Sequence, residues 1–281
     1  MYCRYYGFKE QPFNVTSDPA FFFLSKKHKE ALAHLVYGVS QRKGIIVLTG
    51  EIGTGKTTIC RFFLSRAAKN IKTAFILNPA LSADQLLESI IKDFGIRAGD
   101  KTKLGMIGRL NKFLLRQSAS GNNLALIIDE AQNLTPALLE EIRLLSNLET
   151  EKEKLLQVVL VGQPELKDRL RMYGLRQLKQ RVMVKYHILP LDTDEIKDYI
   201  GYRLTVASAG YRIKNPQKPA VDFEDQAILE ISRFSSGTPR LINMICDRAL
   251  LAGFVAETKH IGPEIIKRCA EELACSPGET A

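Results

Sequence analysis

The sequence predicts an α/β protein, a three-layer sandwich with a parallel central sheet followed by a smaller C-terminal helical domain. Three observations support this fold class. Four continuous apolar runs alternate with helical patterns, a glycine-rich loop directly follows the first run, and the segments beyond residue 190 have helical patterns. Hydrophobicity that is continuous rather than alternating is expected of parallel strands covered on both faces.

The apolar runs define the order of strands and helices in the sheet domain. The predicted strands are 45–49, 73–77, 124–128 and 157–161, with a less regular fifth run at 182–189. The helices between them are predicted at 57–69, 83–94, 104–117 and 136–148. Thr135 and Pro136 suit the N-cap and the first position of the last of these helices.

The loop after the first strand fits the phosphate-loop pattern G-x-x-x-x-G-K-[ST] at every required position. Its glycines let consecutive N–H groups point at a β-phosphate, and the next helix adds the positive end of its dipole. Lys56 would reach the β- and γ-phosphates, while the Thr57 hydroxyl would bind Mg²⁺. The alternative is a simple glycine-rich turn. We predict that a nucleoside triphosphate is bound by Gly50, Glu51, Ile52, Gly53, Thr54, Gly55, Lys56, Thr57 and Thr58.

The two ends of the chain differ from the sheet domain. Residues 5–23 are rich in aromatic residues and proline, which predicts an extended strap that packs on the core or covers the base of the nucleotide. An amphipathic helix is predicted at 26–41, and the stretch 215–219 is interpreted as a loop.

The C-terminal helices are predicted near 193–207, 223–234, 239–254 and 263–273. We therefore expect a strap and helix at 1–42, a nucleotide-binding domain at 43–190 and a helical lid at 191–281.

The composition is typical of a globular protein of one large or two moderate domains, with 281 residues, 45% of them hydrophobic and 25% charged. Five cysteines and four histidines are scattered without metal-ligand spacing, which indicates ordinary reduced thiols. The N-terminus lacks the apolar core of a secretory signal, and no apolar run reaches bilayer length. The expected location is the cytoplasm.

Positive charge is in excess. Forty Lys and Arg residues against thirty-one Asp and Glu residues give a formal charge of +9 and a pI near 9.3. Such a balance favours acidic partners, namely nucleic acid or an anionic membrane face. The alternative is that these charges form ordinary solvated faces.

Two carboxylates follow the third apolar run. Neighbouring side chains in a strand point to opposite faces, but near the end of a strand Asp129 can bind Mg²⁺ while Glu130, already in the loop, polarises a water. The alternative is that Asp129 and Glu130 only begin the next surface loop. Paired with the phosphate-loop pattern, they predict metal binding by Thr57 and Asp129 and water activation by Glu130.

Two further polar residues are candidates for the same chemistry. Gln163 follows the fourth strand and should emerge at the carboxyl edge of the sheet, where it orients the attacking water or simply caps the turn before Pro164. Arg240 lies in the first turn of a helix that begins with Thr238 and Pro239, where a cation is unfavourable by up to about 1 kcal/mol. The negative charge of a γ-phosphate or of a nearby carboxylate would offset this unfavourable interaction with the helix dipole.

The basic helix that leads to the fifth strand contains candidates for an arginine finger. Arg181 is the first candidate and Arg176 the second, because either guanidinium could reach the site of a neighbouring subunit. The alternative is a solvated basic helix face.

These residues together resemble the AAA+ ATPases, and more closely the general secretion pathway protein A (ExeA/GspA) group. The phosphate loop is shared by many families, whereas the N-terminal block and the Gly-Gln-Pro-Glu-Leu block at 162–166 are much more specific. The resemblance is carried by residues 5–8, 12–13, 18–19, 28–35, 48–57, 128–132, 161–166, 178–181 and 237–240.

The resemblance implies an ATP- and Mg²⁺-dependent core with a helical lid that assembles into a homo-oligomeric ring or filament. It implies a Walker A motif at 50–57, a Walker B motif at Asp129 and Glu130, sensor 1 at Gln163, a finger at Arg181 acting in trans and sensor 2 at Arg240. ATP hydrolysis would then drive assembly or remodelling of a secretion or cell-envelope complex.

One departure from the resemblance leaves a second function open. Full-length members of the secretion group look like a cytoplasmic ATPase joined through a membrane span to a periplasmic domain, and this chain has no such span. We expect either a cytoplasmic fragment, at the inner face of the membrane, or a protein that works unanchored. The core also resembles transposition-helper ATPases, so the alternative is an ATP-gated DNA-binding ATPase.

Overall fold

The computed structural model describes residues 1–14, 18–77, 81–97, 99–209 and 221–274. The predicted loop at 215–219 lies outside these residues. The described cysteines, Cys3, Cys60, Cys246 and Cys269, are free thiols as expected, and Cys275 lies outside the described part. Within that part, no helix combines the length and apolar character needed to cross a membrane.

Five parallel strands form the central sheet in the order β2-β3-β4-β1-β5. β1, β3 and β4 have six residues each, and all of these residues are buried, which explains the continuous apolar runs. The prediction of a parallel sheet is confirmed. The strands are β1 (Ile45–Gly50), β2 (Ile71–Ile76), β3 (Asn123–Ile128), β4 (Gln157–Gly162) and β5 (Val182–Ile188).

Helices accompany the sheet and make up most of the C-terminal region. They are α1 (Tyr2–Tyr6), α2 (Lys26–Ser40), α3 (Lys56–Arg66), α4 (Ala83–Asp93), α5 (Lys103–Ala119), α6 (Pro136–Leu145), α7 (Glu165–Arg169), α8 (Arg176–Gln180), α9 (Thr193–Ala209), α10 (Asp225–Ser235), α11 (Pro239–Val255) and α12 (Pro263–Ala274). Thr135 caps α6 as predicted, because its Oγ1 accepts a hydrogen bond from the N–H of Leu138 at 3.3 Å.

The chain divides into two compact units. One consists of Met1–Lys27, Ile52–Thr58 and Leu189–Ala281, and the other of His28–Glu51 and Ile59–Ile188. The domain boundaries drawn from the sequence stay a prediction. In the second unit, helices cover both faces of the sheet, since Gly38 of α2 packs on Ile46 while α4, α5 and α6 share a core with Ile45 and Val47 on the other face.

In the first unit, the N-terminal segment packs on the C-terminal helices. Tyr2 and Tyr6 are buried there, and the Tyr6 hydroxyl donates to the carbonyl of Leu250 at 3.1 Å. Burial raises the pKa of Tyr6 to about 12. Arg203 of α9 holds the next part of the segment, donating to the carbonyls of Pro12 at 2.6 Å and Asn14 at 2.9 Å.

Two sequence predictions for this unit are wrong in detail. The predicted strap begins with the short helix α1, because tyrosines at positions 2 and 6 lie on one helical face and are buried together. The C-terminal region is not all helical, since β6 (Asp222–Phe223) pairs in parallel with β7 (His260–Ile261). Strands of two residues are too short to produce a periodic pattern.

Gly237 provides a test of this packing. Its φ is +76°, and a Cβ at this position would lie 2.0 Å from the carbonyl oxygen of Leu191. Gly237→Ala should therefore lower the free energy of unfolding by the left-handed cost of about 1–2 kcal/mol plus about 1–3 kcal/mol for the overlap. Thermal unfolding measures the loss.

The matched control is Gly7→Ala. Gly7 has a φ of +74° but no atom within 4 Å of the added Cβ, so only the left-handed cost applies. Equal losses of unfolding temperature in the two variants would contradict the packing at Gly237.

Candidate active site

The loop between β1 and α3 has the backbone that its glycines predict. Gly53 and Gly55 have φ values of +80° and +91°, a conformation that side chains other than glycine rarely adopt. Successive N–H groups in such a turn form a concave surface that suits an anion. Lys56, 6% exposed, is the first residue of α3, where a cation is unfavourable unless an anion is bound. The loop thus fits a phosphate group.

The first turn of α11 contacts this loop. The N–H of Arg240 donates to the carbonyl of Gly53 at 3.3 Å, which satisfies one of the unpaired donors at the start of the helix. A Cβ at Gly53 would lie 2.5 Å from Cβ of Arg240 and 3.3 Å from Cγ2 of Thr238. Thr238 occupies the N-cap without a side-chain hydrogen bond to α11. Among the described residues, no carboxylate forms an ion pair with Arg240, whose side chain is exposed.

The strand register places the two carboxylates at the edge of the sheet where the loop begins. Ile128 of β3 pairs with Leu160 of β4, and Leu160 pairs with Val47 of β1. Asp129 and Glu130 therefore continue β3 at the level of the last residues of β1. Two strand spacings separate them from β1, roughly 10 Å.

The two neighbouring carboxylates have different surroundings. Asp129 is 1% exposed, and its Oδ1 accepts a hydrogen bond from the N–H of Glu130 at 2.9 Å. Glu130 has the left-handed backbone angles φ 52° and ψ 37°, which cost a residue with a Cβ about 1–2 kcal/mol. Strain of this kind concentrates at functional sites.

Gln132 is a site residue that the sequence interpretation missed. Its Nε2 donates to Oε2 of Glu130 at 2.5 Å, and its Oε1 accepts from the N–H of Gln163 at 3.1 Å. The structure thus brings Glu130 and Gln163 together through a third side chain. The signal in the sequence was its position within the block 128–132, two residues beyond Glu130.

The arginine-finger candidates lie elsewhere. Val182 pairs with Ile45 and Ile188 with Gly50, so Arg181 is at the amino end of β5, roughly 20 Å along the strand from the level of Gly50. The pKa of Glu149 is lowered mainly by its hydrogen bond with Lys154, and the charge of Arg181 adds a smaller effect. The guanidinium of Arg176 lies over the ring of Tyr173, 4.2 Å from its centroid.

A divalent cation at this site would depend on the nucleotide for ligands. Among the residues that the structure describes, no group of three or more His, Cys, Asp and Glu side chains is arranged to hold a metal. Mg²⁺ is commonly bound by one or two protein groups plus phosphate oxygens and water.

Comparison with known proteins defines the class of this chain. Residues 39–170 match the family model of the AAA domain. This stretch of the chain is therefore similar to the AAA domain.

A closer relationship covers nearly the whole chain. It is 42% identical over 275 residues, 98% of its length, to the general secretion pathway protein A of Aeromonas hydrophila, and it spans 49% of that protein. The chain is thus similar, over nearly all of its own length, to one part of a general secretion pathway protein A. It accounts for about half the length of this relative.

Solved structures share the fold at low sequence identity. The Aeropyrum pernix ORC2 protein is 17% identical with a TM-score of 0.66, and the match covers 94% of this chain and 72% of that one. The Thermotoga maritima RuvB Holliday junction branch migration motor is 20% identical with a TM-score of 0.56, over 89% and 69% of the two chains. These similarities show the α/β fold alone.

Proposed function

We propose that the chain binds ATP with Mg²⁺ on the loop 50–58 and hydrolyses it, and that hydrolysis drives assembly or remodelling of a secretion or cell-envelope complex. One observation carries the proposal. The strand register puts Asp129 and Glu130 at the edge of the sheet where the loop with its two left-handed glycines begins. An anion-binding loop and a pair of carboxylates are the parts that phosphoryl transfer to water requires.

Each side chain has a distinct role in this proposal. The loop amides and Lys56 hold the phosphates, and Arg240 contacts the γ-phosphate. Thr57 and Asp129 hold Mg²⁺, which when bound neutralises charge on the β- and γ-phosphates. Glu130 accepts a proton from the attacking water, which Gln163 helps to orient.

The assignment of Glu130 is tested by Glu130→Gln. The amide has the shape of the carboxylate but cannot take a proton from water, so ATP binding should persist while kcat falls by about 10²- to 10⁴-fold. Lys56→Ala should instead lose ATP binding. Titration calorimetry measures ATP binding, and phosphate release measures kcat.

The matched control is Glu264→Gln, since Glu264 lies in the first turn of α12 and pairs with Lys267. It should hydrolyse ATP at the unsubstituted rate. Hydrolysis by Glu130→Gln at that rate would exclude Glu130 as the base. The role in a secretion or envelope complex is supported by the 42% identity to the Aeromonas protein. If cells with Glu130→Gln protein still assembled a complete envelope complex, that role would be contradicted, while the proposed ATP hydrolysis would stand.

Oligomerisation belongs to the same proposal. Arg181 lies at the end of β5 remote from the level of Gly50, so its guanidinium would serve a neighbouring subunit of a ring or filament. Arg181→Ala should then lower kcat by about 10³- to 10⁵-fold. Mixing it with Glu130→Gln protein should restore turnover at the interfaces where an intact Glu130 meets an intact Arg181.

Phosphate release from the mixture, compared with each variant alone, measures this rescue. Arg176→Ala protein mixed with Glu130→Gln protein is the parallel arm for the second candidate. A mixture with Arg181→Ala that remains inactive at every ratio would count against a finger in trans.

A cationic cleft favours DNA binding as a second candidate function. A cavity of about 390 Å³ beside β1 and β5 is lined by Lys167, Arg171, Lys179 and Lys185, and no carboxylate lines it. Within the described chain, Arg171 pairs with Asp168, whereas the three lysines form no ion pair. Unpaired cations around a cleft suit the phosphates of a nucleic acid backbone.

This candidate predicts that a Lys179→Glu/Lys185→Glu double variant binds DNA more weakly, with a salt dependence reduced by about 0.9 per lost phosphate contact. Fluorescence anisotropy over a salt series, with and without a non-hydrolysable ATP analogue, measures it. The matched control is Lys72→Glu/Lys112→Glu, which reverses two exposed lysines on β2 and α5. Equal affinity of the two double variants would exclude the cleft as a DNA site.

A further inference from the structure

We propose that Gln132 is a positioning residue for hydrolysis, because its carboxamide fixes the carboxylate of Glu130 relative to the strand that carries Gln163. The inference rests on the proposed ATP hydrolysis and extends it to a residue that does not touch the substrate. Gln132 would act only through Glu130, and it would link the orientation of the base to the backbone at the end of β4.

The hydrogen bonds determine how the carboxamide is oriented. Oε1 of Gln132 accepts from the N–H of Gln163, so the other end of the group must be the Nε2 that donates to Oε2 of Glu130. A carboxamide is a neutral group that accepts at one end and donates at the other in one plane. A glutamate at position 132 would instead place two carboxylates together.

Close packing keeps the carboxamide in place. Gln132 is 8% exposed, and a Cβ at Gly162 would lie 2.8 Å from its Oε1 and 3.2 Å from its backbone nitrogen. The absence of a side chain at Gly162 therefore lets Gln132 approach β4. A buried amide that loses its partner destabilises the fold, so the two hydrogen bonds favour this position.

The arrangement leaves one face of the base accessible to water. The backbone of Glu130 is held by the hydrogen bond from its N–H to Asp129, and Oε2 is held by Gln132. Oε1 of Glu130 has no hydrogen-bond partner among the described residues. A general base must lie within hydrogen-bond reach of its water, and a misplacement of about 1 Å can lower the rate 10²-fold.

The test is Gln132→Met, which keeps the length and volume of the side chain but removes both hydrogen bonds. We expect kcat to fall by about 10- to 100-fold with the Kd of ATP unchanged, because the phosphate-binding residues are untouched. In a Glu130→Gln background the same substitution should have no further effect on residual turnover, since the group it positions is already gone.

Gln157→Met is the matched control. Gln157 is fully buried at the other end of β4 and donates from Nε2 to the carbonyl of Lys154 at 3.0 Å. It removes a buried carboxamide of the same size outside the site and should leave kcat unchanged. Should Gln132→Met fail to fold, Gln132→Asn keeps the amide on a side chain one methylene shorter, which cannot span both partners and should lower kcat in the same way.

Three results would overturn the inference. They are an unchanged or increased kcat in both Gln132 variants, an equal loss for Gln157→Met, and a fall in the Glu130→Gln background as large as in the unsubstituted protein. None of these three results would contradict the proposed ATP hydrolysis itself. An unsubstituted chain that binds but never hydrolyses ATP would overturn the proposed function and the inference together.

Discussion

The pairing of β4 with β3 on one side and β1 on the other is the constraint on which the site depends. All three strands are buried throughout, so no alternation of polar and apolar residues sets their register. Their register instead decides which residues stand at the level where the loop after β1 begins. A slip of β3 by one residue would move Asp129 and Glu130 together away from that level.

Three glycines then allow the functional segments to approach their partners. Gly53 lets the first turn of α11 reach the phosphate loop, Gly162 lets Gln132 reach β4, and Gly237 lets the chain before α11 pass the carbonyl of Leu191. At each position a Cβ would lie within 3.0 Å of a neighbouring atom. Because Gly53 and Gly237 also have positive φ, the requirement there is both steric and conformational.

The parts of the molecule that could be predicted from the sequence have strong local signals. The buried strands β1, β3 and β4 each produce a continuous apolar run, and the cap of α6 is set by Thr135 and Pro136. β5 was the least regular prediction because its burial is incomplete and irregular along the strand. Helices and strands of two to five residues, such as α1 and β6, contain too few residues for a pattern.

The same distinction applies to the candidate site. The loop and the adjacent carboxylates are contiguous in sequence, so a motif can identify them. The hydrogen bond between Gln132 and Gln163 joins residues separated by 31 positions, and it exists only because β3 pairs with β4. No local pattern encodes such proximity, which is why Gln132 was missed.

The left-handed turn at Glu130 explains how two adjacent carboxylates can serve one edge of the sheet. In a continuing strand, Asp129 and Glu130 would point to opposite faces. β3 instead ends at Ile128, and the turn brings the carboxylate of Glu130 to Gln132, beside the end of β4. The conformational cost of about 1–2 kcal/mol is offset by the hydrogen bonds to Asp129 and Gln132. Glycine would adopt this turn without strain but carries no carboxylate, so the strained residue supplies the group that the proposed hydrolysis requires.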